Sequence, residues 1–596
     1  MGKHKVRKSR RKAGKRTARS QYTHSTKRIE TPDLARRERY FEIFVIIALF
    51  AFGVYNSILY FGHKVVPISD FPDLFRVGRD ILSFELPSRF KQAPVLGMLQ
   101  VCLSYLVGGW HPNLTAGWLL NAIVHPFNLV LLWLVGKRIV GKSALWLAII
   151  AILNPWVIYM LTEPIIETTL LFFTLLTFYF MFRRSKWCYL FASITTMVRY
   201  EGAALILAAF VMDMIYSKDK REKTRAFTYS AIATIPLVLW MLGTVLAWKP
   251  GTTHYFNVLF TKEYAKTFAQ PVEGRTGLVM HMKLLWQVGF RPLLMPWPGA
   301  GSAFEQMLWN LSKVFAVTGF FFGSIYGLCK RQWNILALLI FFVPYFVLHA
   351  LYPYPLQRFH TNIFWIALLF CWFGLQSIWK LIARAGRLPR GLVFILQAST
   401  VIIAVIWLVP LIAYLPKIAP ISPTSVSLPY VAMVLAAIIF AGRLFIYKSG
   451  YLLRELSILA LLCLIIVSNQ FFLVQLIGDG QRDKEFRQLA DWYTANAQPG
   501  EKLGVYMAAV VKMFAPKYAD YIVRLPKADN PSEFVKACYQ EDITYVVWAT
   551  REGLAKNQHT GYRQLGLDDN IDLLSNPKSV GPYQFITQVG SKRGFV

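Results

Sequence analysis

Charged residues are scarce in this chain of 596 residues, and the 32 acidic residues are about half as many as the 65 Lys and Arg. Charged residues make up 16% of the chain, whereas a soluble globular domain carries about 25%. Hydrophobic residues make up 55%, and many apolar runs reach or approach the roughly 20 residues that a helix needs to cross a bilayer. This balance excludes a soluble globular protein and predicts a polytopic α-helical membrane protein.

Cysteine is also sparse, and its spacing excludes two kinds of site. The six cysteines are scattered, no pair forms a CxxC motif, and most lie in or beside apolar runs. The sequence therefore predicts neither a disulfide framework nor a cysteine-based zinc site.

Basic clusters between the apolar runs decide where the spans lie. The run 93–109 is short for a span. If it crossed the membrane, the clusters at 137–142 and 183–186 would lie outside. If it lies flat on the outer surface, every cluster is cytoplasmic, as the positive-inside rule requires. We therefore predict an interfacial helix there and about 13 transmembrane helices, with the N-terminus inside and the C-terminus outside. The predicted spans are 41–61, 114–136, 143–161, 164–182, 187–198, 202–217, 227–248, 310–328, 333–351, 361–379, 392–412, 427–443 and 455–473.

This placement divides the chain into a tail, a membrane domain and a C-terminal domain. The tail, 1–40, holds 15 Lys/Arg against three Asp/Glu, and we expect it to be disordered, cytoplasmic and close to anionic lipid. No aromatic or folded module accompanies its charge, so we do not predict nucleic-acid binding. The transmembrane domain, 41–478, has a first outer loop at 62–113 and a second large outer loop at 249–309.

The C-terminal region, 479–596, is predicted to be a small extracytoplasmic α/β domain. RDKEFRQLADWYTANAQ and PSEFVKACYQED have helical periodicity, and LGVYM, ITYVVWA and YQFITQV are typical of strands. The region has one cysteine and no glycine-rich phosphate loop, so no chemistry is predicted in it.

Several ionisable residues lie inside the predicted spans or at their outer mouths, where each charge is costly and is a hypothesis for a functional site. Structural alternatives exist for each: a charge at a helix N-terminus, a local ion pair in a tight turn, or an interfacial anchor. The residues are Glu163 and Glu167 in LTEPIIETTLLFF, Arg199 and Glu201 in MVRYEGAAL, and Arg358 and His360 in QRFHTNIFW.

A second group of charges follows the first span, in PISDFPDLFRVGRD, and includes Asp70, Asp73 and Arg76. Together with the charges at the mouths, they place acids and arginines on one side of the bilayer. That pattern favours a lipid-anchored anionic substrate, because an arginine fork binds phosphate oxygens and a carboxylate can deprotonate a hydroxyl.

These segments resemble the polyprenyl-phosphate-sugar-dependent glycosyltransferases of the GT-C superfamily. The protein O-mannosyltransferases and lipid A aminoarabinose transferases are the most similar in layout. The resemblance runs along most of 41–380 and rests on SDFPDLFRVGRDIL, FKQAPVLGMLQVCLSYLVGG, LTEPIIETTLLFF, TTMVRYEGAAL and QRFHTNIFW. The chain departs from the family where Phe71 follows Asp70, since many members have an acid there. With neither a DxD motif nor a paired Asp-Glu, we expect no cofactor, and a divalent metal stays open.

The resemblance implies a role for each candidate residue. It makes Asp70 the base, with Asp73 as the alternative. Arg199 and Arg358 would bind the lipid phosphate, and Arg76 and Lys91 would contact this phosphate or lipid headgroups. The acceptor or sugar hydroxyls would be bound by Glu163, Glu167, Glu201 and His360.

The implied partners are a polyprenyl-phosphate-linked sugar donor, a glycan, lipid or protein acceptor, and membrane lipid. The implied reaction inverts the anomeric carbon at the outer face of the cell inner (plasma) membrane. Two other functions stay open: a ligase or polymerase of lipid-linked glycans, and a membrane transporter.

Overall fold

A computed structural model describes most of the membrane domain and part of the C-terminal region. The tail up to residue 31, most of the loop 249–309, Lys91 and most of 550–596 lie outside the described residues. The described residues are 32–67, 70–87, 92–108, 112–246, 278–291, 303–351, 356–384, 390–418, 423–447, 452–478, 480, 484–505, 507–526, 531–549, 579–580, 583–584 and 594–595.

Helices dominate the described chain up to residue 478, and each of the predicted spans overlaps at least one of them. They are α1 Pro32–Leu59, α2 Asp70–Leu82, α3 Pro94–Val107, α4 Leu114–Val140, α5 Ala144–Ile152, α6 Pro155–Thr162, α7 Ile166–Phe182, α8 Trp187–Val198, α9 Ala203–Tyr216, α10 Lys220–Leu246, α11 Leu278–Gly289, α12 Ala303–Cys329, α13 Trp333–Leu351, α14 Phe364–Arg384, α15 Arg390–Ile418, α16 Pro423–Tyr447 and α17 Leu452–Ile477. Short 3₁₀ segments join some of them, at Gly141–Ser143, Tyr200–Gly202 and Gln357–Asn362.

The length and composition of these helices are those of a multi-pass membrane protein. By length and composition, six helices of the described chain can cross a membrane, or up to seven if the bent pair α6 and α7 is one span. Side chains such as Ile47 and Leu239 are each 62% exposed, as expected of surfaces that face lipid. The predicted count of 13 is therefore not reached by this criterion, because helices such as α8 and α9 are shorter than a full span.

The predicted span 143–161 is broken in two. Helix α5 ends at Ile152, and α6 begins at Pro155 after Asn154, whose side chain accepts a hydrogen bond from the Trp156 N–H at 2.9 Å. Pro at a first helical position and Asn before it are a helix-start signal, and here that signal interrupts an apolar run. A second break follows at 163–165, where α6 and α7 meet at an angle of 115°.

Polar side chains of neighbouring helices satisfy the backbone at this second break. Asn121 of α4 donates to the carbonyl of Glu163 at 2.6 Å, and Gln100 of α3 donates to the carbonyl of Pro164 at 2.9 Å. Buried carbonyls without partners are costly, so Asn121 and Gln100 hold the break in a fixed conformation. The first turn of α7, with Glu167, is thereby fixed in position.

Helices α2 and α3 lie against each other, and α3 falls within the interfacial helix predicted for 93–109. Their contact depends on glycine: a Cβ at Gly78 would lie 2.0 Å from the carbonyl carbon of Gly97. Helix α2 is strongly amphipathic in sequence, and its buried face includes Phe71, Leu74 and Phe75. This packing fixes the N-terminus of α2, where Asp70 lies.

The C-terminal unit, here the described residues 480, 484–505, 507–526 and 531–549, contains the predicted helices, the predicted strands up to residue 549 and two elements that were not predicted. It comprises α18 Glu485–Asn496, β1 Lys502–Val505, α19 Ala508–Phe514, β2 Ile522–Arg524, α20 Pro531–Gln540, β3 Ile543–Val546 and β4 Trp548–Ala549. Helix α19 and strand β2 are the additions. Strands β1, β2 and β3 form a parallel sheet of order β2-β1-β3, in which Leu503 pairs with Ile522.

Three short strands complete the described chain. They are β5 Ser579–Val580, β6 Tyr583–Gln584, which falls in the predicted late strand, and β7 Gly594–Phe595, which pairs antiparallel with β4.

Candidate active site

Asp70 and Arg358, 288 residues apart in sequence, form an ion pair. The Asp70 Oδ2 accepts a hydrogen bond from the Arg358 Nη2 at 2.8 Å. Asp70 is the first residue of α2, where a carboxylate is favoured by the helix dipole. Arg358 lies in the 3₁₀ segment Gln357–Asn362 before α14. Both side chains keep part of their surface exposed, 31% for Asp70 and 21% for Arg358.

Glu167, in the first turn of α7, lies between two arginines. Its Oε1 is 3.8 Å from the Nε of Arg358 and 3.6 Å from the Nη1 of Arg199. Its side chain is only 4% exposed, so Glu167 needs these cations as partners in order to be ionised. Among the described residues, its second oxygen, Oε2, accepts no hydrogen bond.

Arg199 extends this arrangement to the turn between α8 and α9. Its Nε donates to the Oε1 of Glu201 at 3.1 Å, and its Nη2 lies 3.1 Å from the Nε2 of His349 on α13. The His349 Nε2 is also 3.3 Å from the Glu201 Oε1. Arg199 and Glu201 are two residues apart in sequence, and their side chains meet across the 3₁₀ turn Tyr200–Gly202.

These five residues, Asp70, Arg358, Glu167, Arg199 and Glu201, form what we call the charged cluster. With three carboxylates and two guanidinium groups, its formal charge is −1 when every member is ionised. Burial alone would lower the pKa of Arg358, but the negative charges of Asp70 and Glu167 outweigh it and raise the pKa above its ordinary value. Arg358 is therefore a cation throughout the physiological range.

Phe359 is an aromatic surface shared by both arginines. Its ring centroid is 4.7 Å from the Cζ of Arg199 and 5.5 Å from the Cζ of Arg358. Cation–π contacts of this length stabilise a guanidinium without using its N–H donors. The N–H donors thus stay directed at polar partners, which are Asp70 for Arg358 and Glu201 and His349 for Arg199.

Glu163, predicted to bind sugar or acceptor, lies in a separate pair. It is fully buried and is bonded to Lys64, which follows the end of α1. The Lys64 Nζ also lies 5.8 Å from the ring centroid of Tyr159. This pair fastens the segment after α1 to the break between α6 and α7.

His360, the neighbour of the charged cluster in sequence, points elsewhere. It is fully buried, and its Nε2 is 3.1 Å from the Nδ1 of His281 on α11. Burial, with the nearby His349 and His281, lowers the pKa of His360 to about 2, and burial lowers the pKa of His281 as well. Both imidazoles are therefore neutral, and we regard the pair as a link between α11 and the Arg358 segment.

The remaining predicted site residues are Asp73, Arg76 and Lys91, which are not members of the charged cluster. Asp73 and Arg76 are partly exposed on α2, one and two turns after Asp70, and Lys91 lies outside the described residues. Within the described chain, no group of three or more His, Cys, Asp or Glu side chains is arranged to hold a metal ion.

Sequence reasoning missed Lys64, His281 and His349. Each carried a signal of the kind that identified the others, an ionisable residue next to or inside an apolar run. Histidine is a weak sign of a functional site because it is often neutral in protein cores. Lys64 resembles a basic residue that merely flanks the first span.

The structure of this chain is similar to those of several solved proteins. No family model and no curated protein matches the chain. ArnT from Cupriavidus metallidurans, bound to undecaprenyl phosphate, is similar at 12% identity and a TM-score of 0.49, over 93% of this chain and 96% of that one. The archaeal oligosaccharyltransferase AglB from Archaeoglobus fulgidus, in complex with an inhibitory peptide and a dolichol-phosphate, is similar at 12% identity and a TM-score of 0.46, over 86% of this chain and 69% of that one.

At such identities and TM-scores, the likeness assigns neither a reaction nor a residue role to this chain.

Proposed function

We propose that the protein is an integral membrane glycosyltransferase, which moves a sugar from a polyprenyl-phosphate carrier to an acceptor hydroxyl at the outer face of the cell inner membrane. The observation that carries the proposal is the Asp70–Arg358 ion pair beside the buried Glu167. It joins the start of a surface helix, the first turn of α7 and the segment before α14. A partly exposed acid next to two partly buried arginines suits a substrate with one hydroxyl and one phosphate.

In the proposed reaction, Asp70 is the general base. Its carboxylate takes the proton of the acceptor hydroxyl, the acceptor oxygen forms a bond to the anomeric carbon, and the bond from that carbon to the phosphate oxygen breaks. The electron pair of the broken bond leaves with the polyprenyl phosphate. Attack opposite to the leaving group inverts the anomeric configuration, through an oxocarbenium-like transition state.

The arginines bind the leaving phosphate in this proposal. Arg358 and Arg199 develop their strongest contacts with the phosphate as negative charge grows on its oxygen, which lowers the barrier rather than only tightening binding. Glu167 lies between both guanidinium groups and holds them at one place. Glu201 and His349 orient Arg199 from its other side.

The proposed chemistry needs no resident cofactor, because the arginines supply the positive charge that a metal would supply. Transfer is therefore expected to persist in excess EDTA, with and without added Mg²⁺ or Mn²⁺. Transfer that is lost in EDTA and restored by one metal would overturn this part of the proposal.

The proposal is tested with purified protein in lipid nanodiscs, a panel of labelled polyprenyl-phosphate sugars and membrane extract as the source of acceptors. We expect release of one polyprenyl phosphate for each sugar transferred, and a product of inverted configuration. Glu167→Gln is expected to abolish release. Asp213→Asn is the matched control, because it removes the carboxylate of another ion pair, with Lys186, away from the charged cluster.

Three outcomes would contradict the proposal. They are equal release by wild type and Glu167→Gln, loss of release in Asp213→Asn alone, and movement of the intact donor across a bilayer without release. The third would instead indicate a transporter.

A further inference from the structure

The C-terminal unit lies directly against the segment that leads into α2. The N–H of Val65 donates to the carbonyl of Gly480 at 3.2 Å. Gly480 has a φ of +76°, and a Cβ there would lie 1.8 Å from the carbonyl oxygen of His63. Only glycine allows the two backbones to come this close in this conformation.

A second contact is hydrophobic. Val66 is 1% exposed, and it belongs to the core of the C-terminal unit, together with Phe486, Leu503 and Val505. Val65 packs against the same core. A residue of the first outer loop thus completes the hydrophobic core of a unit that begins more than 400 residues later.

A third contact lies on α2 itself. Helix α19 of the C-terminal unit contacts α2. The pKa of Lys512 on α19 is lowered by burial and by the positive charge of Arg76 on α2. The C-terminal unit therefore touches the chain on both sides of Asp70, and only three residues separate Val66 from Asp70.

We propose that the C-terminal unit positions Asp70 through the segment 63–66 and helix α2, and that Gly480 and Val66 are positioning residues for the transfer reaction. This inference rests on the proposed function for the role of Asp70. It assigns a structural role to the C-terminal unit, in which the sequence predicts no chemistry. A displacement of about 1 Å at a reacting group costs up to about 100-fold in rate, so a small shift of the segment 63–66 is expected to matter.

The test compares two glycines that are two residues apart. Gly480→Ala adds a Cβ that collides with the His63 carbonyl, whereas Gly478→Ala, at a φ of +56°, adds one with no atom within 4 Å. Both substitutions carry the cost of a positive φ, so the contact with His63 is what distinguishes them.

Two measurements are made on both variants. Hydrogen exchange of the peptide that covers 70–82 reports the order of α2 without any assay of activity. We expect faster exchange in Gly480→Ala and wild-type exchange in Gly478→Ala. We also expect kcat for sugar transfer to fall by about 10- to 100-fold in Gly480→Ala, with KM for the donor unchanged.

A second pair of variants covers the case in which Gly480→Ala does not fold. Val66→Ala removes a buried methyl pair from the shared core, and Val467→Ala removes the same atoms from a buried site between membrane helices. Faster exchange at 70–82 is expected only for Val66→Ala.

The inference is overturned if exchange at 70–82 is the same in Gly480→Ala and Gly478→Ala, or in Val66→Ala and Val467→Ala. It is also overturned if exchange rises while kcat stays at the wild-type value. If exchange rises as expected but wild type transfers no sugar, the contact stands as a structural coupling and the proposed function fails.

Discussion

Arg358 is the residue that holds two carboxylates of the charged cluster at once, Asp70 by a hydrogen bond and Glu167 by an ion pair. We expect Arg358→Gln to lower kcat by about 100- to 1,000-fold, the usual effect of removing a donor that stabilises developing negative charge. Arg358→Lys should recover only part of this loss, because an ammonium cannot make both contacts in the geometry of the guanidinium. Steady-state kinetics with the lipid-linked donor measure the effect.

The control for this substitution is Arg79→Gln, which changes an exposed arginine in the last turn of α2. It should retain wild-type kcat. A Lys variant as active as wild type, or an equal loss at Arg79, would contradict the role given to Arg358.

Because His360 is neutral in the folded protein, the stability of the fold should depend on pH. Its folded-state pKa, lowered to about 2 by burial, lies below the value of about 6.5 in an unfolded chain. Protons therefore bind the unfolded state first, and the stability of the folded state falls as the pH drops below about 6.5. We expect the thermal midpoint in detergent to fall between pH 7 and pH 5, and to fall less in His360→Asn.

Gln357→Asn, in the same 3₁₀ segment, is the control and should keep the full decrease. An identical decrease in wild type and His360→Asn would show that His360 does not titrate in this way.

Single residues of the charged cluster and the local Arg199–Glu201 pair can be predicted from sequence, but the contacts between distant segments cannot. Glu167, Arg199 and Arg358 are each a charge in apolar surroundings, which is costly enough to be noticed in one sequence. The Asp70–Arg358 contact joins positions 288 residues apart, and only the packing of the helices between them brings the two together. For the same reason, Glu163 cannot be separated from Glu167 by spacing alone, although it pairs with Lys64 outside the cluster.

At the scale of elements, the contact between α2 and α3 depends on two glycines. Gly78→Ala would place a Cβ 2.0 Å from the Gly97 backbone, so the helices must separate. We expect an overpacking cost of about 1–3 kcal/mol and a lower rate of transfer, because Asp70 begins α2. The thermal midpoint and kcat report the two effects.

Gly391→Ala is the matched control, since a Cβ there meets no atom within 4 Å. It should change neither quantity. A wild-type midpoint in Gly78→Ala would mean that the two surface helices are not in close contact.

Most elements of the membrane domain are predictable because a helix of apolar residues is the structure that lipid permits. The division between α6 and α7 follows the predicted spans 143–161 and 164–182. The 115° angle between them could not be predicted, because it depends on Asn121 and Gln100 from other helices. In the C-terminal unit, helix α19 is short and β2 has only three residues, too few to show a periodicity.

At the scale of the whole molecule, the orientation in the membrane is a prediction from the basic clusters. Two native cysteines test it, because Cys102 on α3 and Cys329 at the end of α12 are both exposed. With the other four replaced by alanine, a membrane-impermeant maleimide should label Cys102, and not Cys329, in sealed right-side-out vesicles. Permeabilised vesicles, in which both should react, are the control. Labelling of Cys329 alone would reverse the orientation and place the charged cluster on the cytoplasmic face.

The central claim is that Asp70 is the general base of a glycosyl transfer, and one comparison tests it most directly. Turnover of a labelled polyprenyl-phosphate sugar is measured for wild type, Asp70→Asn and Asp73→Asn, the last being the same change three residues further along α2. We predict that Asp70→Asn loses about 100- to 10,000-fold in kcat, the typical contribution of a general base. We predict that Asp73→Asn stays within about fivefold of wild type, because Asp73 is a partly exposed charge outside the charged cluster. Equal turnover by wild type and Asp70→Asn would contradict the account.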